Sequence, residues 1–306
     1  MLTFFVCFKA CRFSFLLALG CVFILFSCGN RKTSSAETPQ TITVTDDLGR
    51  KIQIPRQPQR VMGLAPSATE MLYAIADEKT IIGRTQNCDY PDRVKEKSEV
   101  NTYPMDYEKV VLLKPDLIFT VEGITSAEVT ARLAELNIPV YYQTFATVAD
   151  VFRGLKVMGQ LLHREEKARQ VVDSLRAQLA AVKVKNAGPK LKVLAITWQD
   201  PIYAYGQNTL FTDKLRYLGA QNAVAETFSQ PYPALTREYL LALNPDVLLG
   251  GTLPEMEKTF FSKYPELKKI KAYQQKKIFE ATDNLMSRPG PRVIESIREL
   301  KSFLAE

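Results

Sequence analysis

The sequence predicts an α/β fold of two pseudo-equivalent lobes with parallel-type sheets, joined by one long rigid linker helix and facing each other across a ligand cleft. Three observations carry this. From Val61 onward short apolar runs alternate with helical patterns, as in parallel sheets covered by helices. From Val148 to Leu179 apolar residues recur at three- and four-residue intervals. Residues 106–119 align without a gap on 236–249, an offset of 130, with four identities that include Pro-Asp before an apolar run.

The elements follow in order. Phe13 to Ser27 is a fifteen-residue apolar run behind Lys9 and Arg12, and it ends at Leu25-Phe26-Ser27-Cys28-Gly29. A spanning helix needs about 20 apolar residues, so residues 1–27 read as a lipoprotein signal peptide cleaved before Cys28, whose sulfur then carries the lipid. Residues 28–40 form a polar, Ser/Thr-rich leash with nothing apolar enough to pack. This places the mature chain in the periplasm or cell envelope, tethered to a membrane.

The N-terminal lobe is expected over 41–146. Thr41 to Val44 and Lys51 to Ile54 alternate around Asp46-Asp47-Leu48-Gly49, a hairpin signal. Buried strands are expected at Val61 to Leu64, Ile81 to Thr85, Leu117 to Thr120 and Pro139 to Tyr142, with helices at Thr69 to Ala76 and Ala127 to Leu136. Thr125 with Glu128 makes a capping box for the second of these helices. The linker helix spans 147–185, with Thr147 and Asp150 at its start and a candidate break near Gly159 to His163. The C-terminal lobe, 186–306, resumes with the strand Leu191 to Thr197. In the repeat, Asp106 and Thr236 are helix caps, Glu108 and Glu238 stand two positions on, and Pro115 and Pro245 end each helix.

Composition bounds the function. The chain has 306 residues and a formal charge of +7; without Lys9 and Arg12 this falls to +5, and the basic residues are scattered among acids. That excludes a nucleic-acid partner on charge grounds. Of five cysteines, Cys7, Cys11 and Cys21 leave with the signal and Cys28 is the lipid site, so Cys88 has no intramolecular partner. The one histidine, His163, lies in the charged run His163-Arg164-Glu165-Glu166-Lys167, where nothing supplies a nucleophile. No phosphate-binding glycine loop, paired metal cysteines or HExxH occurs. A binding protein without resident cofactor or metal is expected rather than an enzyme; a lipid-anchored hydrolase using paired carboxylates is the different-class alternative.

Several segments together resemble the substrate-binding proteins of ABC importers for cobalamin, ferric siderophores and haem. They are Asp46-Asp-Leu-Gly-Arg-Lys-Ile-Gln-Ile-Pro55, Arg60-Val-Met-Gly-Leu-Ala-Pro-Ser-Ala-Thr-Glu70, Cys88-Asp-Tyr-Pro91, and Glu108 with Leu113-Lys-Pro-Asp-Leu117. The APSATE and CDYP segments are most similar to the cobalamin-binding branch. The resemblance implies aromatic side chains from both lobes around a flat macrocycle: Tyr103, Tyr203 and Tyr232. It also implies that Asp283 and Arg288 face the ligand. Trp198 joins the candidates by position, at the end of the strand Leu191 to Thr197 where loops open into the cleft. Asn87 stands where the best-known cobalamin binder carries a tyrosine, and Cys88 beside it is a candidate axial ligand to cobalt or haem iron. Tyrosine gives a large rigid contact area with a polar tip, which suits such a cleft. The expected partner is an ABC transporter permease dimer, docked through Glu108 and Glu238, with the binding protein itself a monomer.

Overall fold

The computed structural model describes residues 41–184 and 188–305; the expected signal peptide, Cys28 and leash lie outside them. Strands β1 (Thr41–Thr45) and β2 (Lys51–Pro55) form the antiparallel hairpin foreseen around Asp46 to Gly49. Then follow β3 (Val61–Gly63), α1 (Pro66–Ile75), β4 (Ile81–Thr85), β5 (Ser98–Val100), α2 (Tyr107–Leu113), β6 (Leu117–Val121), α3 (Ala127–Glu135) and β7 (Val140–Gln143). The five strands from β3 to β7 make one all-parallel sheet in the order β5-β4-β3-β6-β7. Parallel strands covered by helices must be apolar along their length, and β6 and β7 are buried at every position.

The hairpin serves the sheet. An edge strand exposes unpaired backbone groups, and here the loop after β1 covers β7: Asp47 N–H donates to Tyr142 O (3.2 Å), Arg50 Nη2 to Val140 O (3.0 Å) and Thr144 N–H to Asp47 Oδ2 (2.9 Å). Arg153 locks the arrangement from the next helix with Nη1 at 2.7 Å from Asp47 Oδ1.

The linker is corrected. The single helix expected over 147–185 is two, α4 (Val148–Leu161) and α5 (Glu165–Val182), broken at Leu162 to Arg164, where His163 takes φ +53°. The second helix folds back along the first. Gly159 makes this approach feasible, because a Cβ there would stand 2.5 Å from Ala168 Cβ, and the Arg176 guanidinium lies 5.9 Å from the Phe152 ring centre. The physical signals were the glycine and the charged run: Glu165 and Glu166 sit in the first turn of a new helix, where its dipole favours acids. Thr147 and Asp150 form the expected capping box of α4. For α3, by contrast, the cap is Ser126, which accepts from Val129 N–H, and Thr125 instead bonds to Thr120.

The second half comprises β8 (Lys192–Gln199), β9 (Ile202–Ala204), α6 (Leu210–Tyr217), β10 (Gln221–Asn222), β11 (Ala234–Leu235), α7 (Arg237–Leu243) and β12 (Val247–Leu249). It ends with α8 (Leu253–Lys258), α9 (Phe260–Lys263), α10 (Lys271–Gln274), β13 (Ile278–Phe279), α11 (Asp283–Ser287) and α12 (Val293–Ala305). Its six-stranded sheet runs β11-β9-β8-β12-β13, with β10 also on β8. β10, β12 and β13 are parallel, and β9 and β11 are antiparallel. Trp198 is thus within the long central strand, opposite Tyr203 of β9, rather than past its end.

The repeat is structural as well as textual. α2 and α7 are both seven-residue helices, capped by Asp106 and Thr236 side chains and ended by left-handed residues, Lys114 (φ 49°) and Asn244 (φ 46°). Proline and a buried strand follow in each. One apolar cluster then runs from α1 (Ala68, Met71, Leu72) through α4 and α5 to Phe211 and Leu215 of α6 and Ile297 and Leu300 of α12. Halves that share so much apolar packing move less than domains joined only by a linker. Among the described residues no helix is long and apolar enough to cross a membrane.

Candidate functional site

In open α/β sheets ligands bind beyond the carboxyl ends of the strands. The carboxyl ends of β8, β12 and β13 open here into a cavity of about 540 Å³. Thr197, Gly250 and Gly251 reach it from the strand ends, Glu280 and Asp283 from the segment after β13, and Tyr205 and Tyr232 from the loops beside β9 and β11. A cavity of about 600 Å³ beside β2 touches Pro115, Asp116, Pro139 and Val140, at the amino ends of β6 and β7, which is the wrong end for this rule. A third, about 280 Å³, lies at the α4–α5 turn against His163.

Two features open the first cavity. Gly250 brings β12 against β8: a Cβ there would meet Ile196 Cγ1 at 2.4 Å. Its aromatic wall is built in depth, since Tyr232 packs edge-on to Tyr205 at 5.3 Å between ring centres, and Tyr205 packs on buried Phe211 at 5.1 Å. Burial pushes the pKa of both tyrosines up, with Tyr232 and Asp283 adding to the rise at Tyr205. Both therefore remain neutral phenols able to donate a hydrogen bond. No lysine or arginine lines the cavity among the described residues.

The structure sorts the sequence-predicted residues. Tyr232 and Asp283 meet in the cavity. Trp198 and Tyr203 pair across β8 and β9 as exposed aromatics outside its lining, and Trp198 Nε1 donates to Asp200 O at 2.7 Å. Tyr103 is 91% exposed on its loop. Cys88 is 4% exposed, with its sulfur 3.2 Å from Thr85 Oγ1 and 3.3 Å from Thr69 Oγ1, so its thiol belongs to the interior. Asn87 is exposed and its carbonyl accepts from Arg288 Nη2 at 3.2 Å.

Arg288 is occupied rather than free. Its Nη1 donates to Glu70 Oε1 at 3.0 Å and to Asp89 Oδ1, while Asn284 Nδ2 donates to Asp89 Oδ2 at 2.6 Å. Arg292 adds a two-point grip on Glu70, at 2.8 and 2.5 Å, and lies over the Tyr90 ring. This network ties the second half to the first beside the cavity, and Glu70, on α1, is its buried centre with a side chain 2% exposed. Partial burial raises the Asp89 pKa, but the hydrogen bond and charge of Arg288 outweigh it and hold the carboxyl below its usual range.

Sequence reasoning missed Tyr205, Glu280, Gly250 and the Glu70–Arg292 pair. Only the Tyr203-Ala204-Tyr205 spacing and the Gly-Gly after a buried strand were visible in the chain. Glu108 and Glu238 are both exposed in the first turns of α2 and α7. A backbone hydrogen bond and the Thr236 hydroxyl lower the Glu238 pKa, so its charge persists at neutral pH.

Comparison with known proteins agrees with this geometry. The periplasmic binding protein family matches residues 61–285. The uncharacterized ABC transporter substrate-binding lipoprotein YvrC of Bacillus subtilis is 28% identical over 291 residues, covering 90% of this chain and 91% of the relative. The vitamin B12-binding protein of Salmonella typhi is 27% identical over 253 residues, 81% of this chain and 90% of the relative. Among solved structures, a possible iron-binding (periplasmic solute-binding) protein of Staphylococcus epidermidis has a TM-score of 0.73 at 27% identity, over 82% of this chain and 100% of that one. Two sheets of this topology, an aromatic cavity at the carboxyl ends of the second and a family match across both halves lead to one assignment: the chain belongs to the periplasmic binding protein family.

Proposed function

We propose that this protein captures a cobalamin-like corrinoid outside the cytoplasm and delivers it to the permease dimer of an ABC importer, without catalysing a reaction. The observation that carries the ligand class is the charge of the cavity: Glu280 and Asp283 line it beside two neutral tyrosines, and no cation does among the described residues. Arg288, which follows the cavity-lining Ser287 in the chain, is already matched by Glu70 and Asp89. A corrin ring is edged with neutral carboxamides, whose N–H groups suit carboxylate and carbonyl acceptors. Haem carries two propionates and catecholate siderophores carry several negative charges, and both would meet uncompensated acids. A cavity of about 540 Å³ takes one side of such a macrocycle, with the rest left to the opposite half. The vitamin B12-binding relatives support the same reading.

Titrating the purified protein with cyanocobalamin, haem and a ferric catecholate, followed by visible absorbance and calorimetry, tests the ligand. Saturable binding of cyanocobalamin alone is expected; preference for haem or the siderophore would transfer the site to those ligands. The anchor is tested separately. Cys28→Ala removes the acylated thiol, and the protein is expected to leave the membrane fraction; firm membrane association of the variant would refute the lipid.

Docking follows from the repeat. Glu108 and Glu238 sit at matching positions on two similar helices, and a two-fold pair of charges fits a symmetric permease with two basic sockets. The double substitution Glu108→Ala with Glu238→Ala is expected to leave ligand affinity and folding nearly intact while uptake and complex formation fall, increasingly so at high salt. Normal uptake by the double variant at physiological salt would end the docking role.

A further inference from the structure

Lys214 is a fully buried cation-forming side chain, at 0% exposure on α6. Its Nζ donates to Leu285 O at 3.2 Å and Met286 O at 3.0 Å, and lies 2.8 Å from Ser296 Oγ. Sinking an amine into a protein interior is costly, and apolar side chains of similar size are commonly as stabilising or better. The contacts show what the amine supplies here. α11 has only five residues, and the last four carbonyls of any helix lack partners within it. Lys214 serves two of them, and Glu299 holds the other end, its Oε1 accepting from Thr282 N–H at 3.0 Å and Thr282 Oγ1 at 2.6 Å.

What α11 carries gives the bracket its significance. Asp283, Met286 and Ser287 line the cavity, while Asn284 and the next residue, Arg288, reach Asp89 of the first half. We propose that Lys214 is a positioning residue for ligand binding: it holds α11 so that one side forms the cavity wall and the other stays joined to the opposite half. This rests on the reading of that cavity as the ligand site. The three neighbours of Nζ serve either protonation state. An ammonium donates to all three oxygens, whereas a neutral amine donates to the two carbonyls and accepts from the Ser296 hydroxyl. Burial pulls the Lys214 pKa down to about 7, against the pull of Glu299 on α12. α11 is held on both sides of that value.

The test compares Lys214→Met, which keeps volume and loses the donors, with Ser296→Ala, which removes the one partner of Nζ that is not a carbonyl of α11. Amide hydrogen exchange in the full-length protein without ligand is expected to speed at least tenfold over residues 283–288 in Lys214→Met and to stay near the parent in Ser296→Ala. Cyanocobalamin affinity is expected to fall about tenfold or more in the first variant only. Unchanged exchange over α11 in Lys214→Met, or equal effects in the two variants, would overturn the proposal. Should the methionine variant fail to fold, Lys214→Gln, whose amide is one bond too short to reach both carbonyls, is expected to show the same local exchange, and its absence is equally decisive. Parent protein that binds no cyanocobalamin counts against the proposed ligand, and the exchange comparison then decides the role of Lys214 independently.

Discussion

Replacing Glu70 by alanine is expected to lower the unfolding free energy by about 3–5 kcal/mol, the range for removing one partner of a buried ion pair. Glu70 has a side-chain exposure of 2% and receives Arg292 at two points and Arg288 at one. Truncation strands the largely buried Arg292 guanidinium and leaves Arg288 with Asp89 alone, so the loss includes the cost of stranded charge as well as lost hydrogen bonds. Denaturant unfolding of Glu70→Ala and of the double variant Glu70→Leu with Arg292→Met checks this. The apolar pair should recover part of the loss, since it strands one guanidinium fewer. A single variant within about 0.5 kcal/mol of the parent, the usual range for surface changes, would show that the pair is not a buried centre at all.

Tyr232→Ala is expected to weaken ligand binding by about 1–3 kcal/mol, the range for stacking a flat ring on an aromatic side chain. That corresponds to roughly five- to 150-fold in Kd at about 1.4 kcal/mol per decade. Tyr232 carries this expectation because it lines the cavity and is braced by Tyr205 and Phe211, so little conformational freedom remains to be lost on binding. Tyr103, 91% exposed on its loop, lacks such bracing and its alanine variant should lose less. Calorimetry with cyanocobalamin on both variants measures the difference; equal losses would mean that bracing is irrelevant, and no loss in Tyr232→Ala would remove it from the site.

Much of the architecture was legible in the chain because it is written in short-range rules. Asp106 and Thr236 announce helix starts with side chains that reach backbone N–H groups three residues on, and Pro115 and Pro245 end the same helices by lacking an N–H. The hairpin at Asp46 to Gly49, the parallel strands and the repeat follow from such rules and from apolar periodicity. The linker shows their limit. Periodicity continues across Leu162 to Arg164 because both helices bury the same kind of face, and a 3.6-residue pattern does not register that the chain has reversed.

The site divides in the same way. By itself the sequence determined the fold class and the resemblance to a binding-protein family, whose motifs depend on residue type and on neighbours a few positions away, and it was that resemblance that put Tyr232 and Asp283 among the candidates. Only the tertiary structure decided that Cys88 turns inward, that Arg288 is spoken for by Glu70 and Asp89, and that Lys214 and Glu299 bracket the cavity wall. Glu70 and Arg292 are 222 positions apart in the chain, and Lys214 and Met286 are 72. No local pattern marks a charge that will be buried, because whether it is matched depends on which distant residue the completed core brings to within hydrogen-bonding distance.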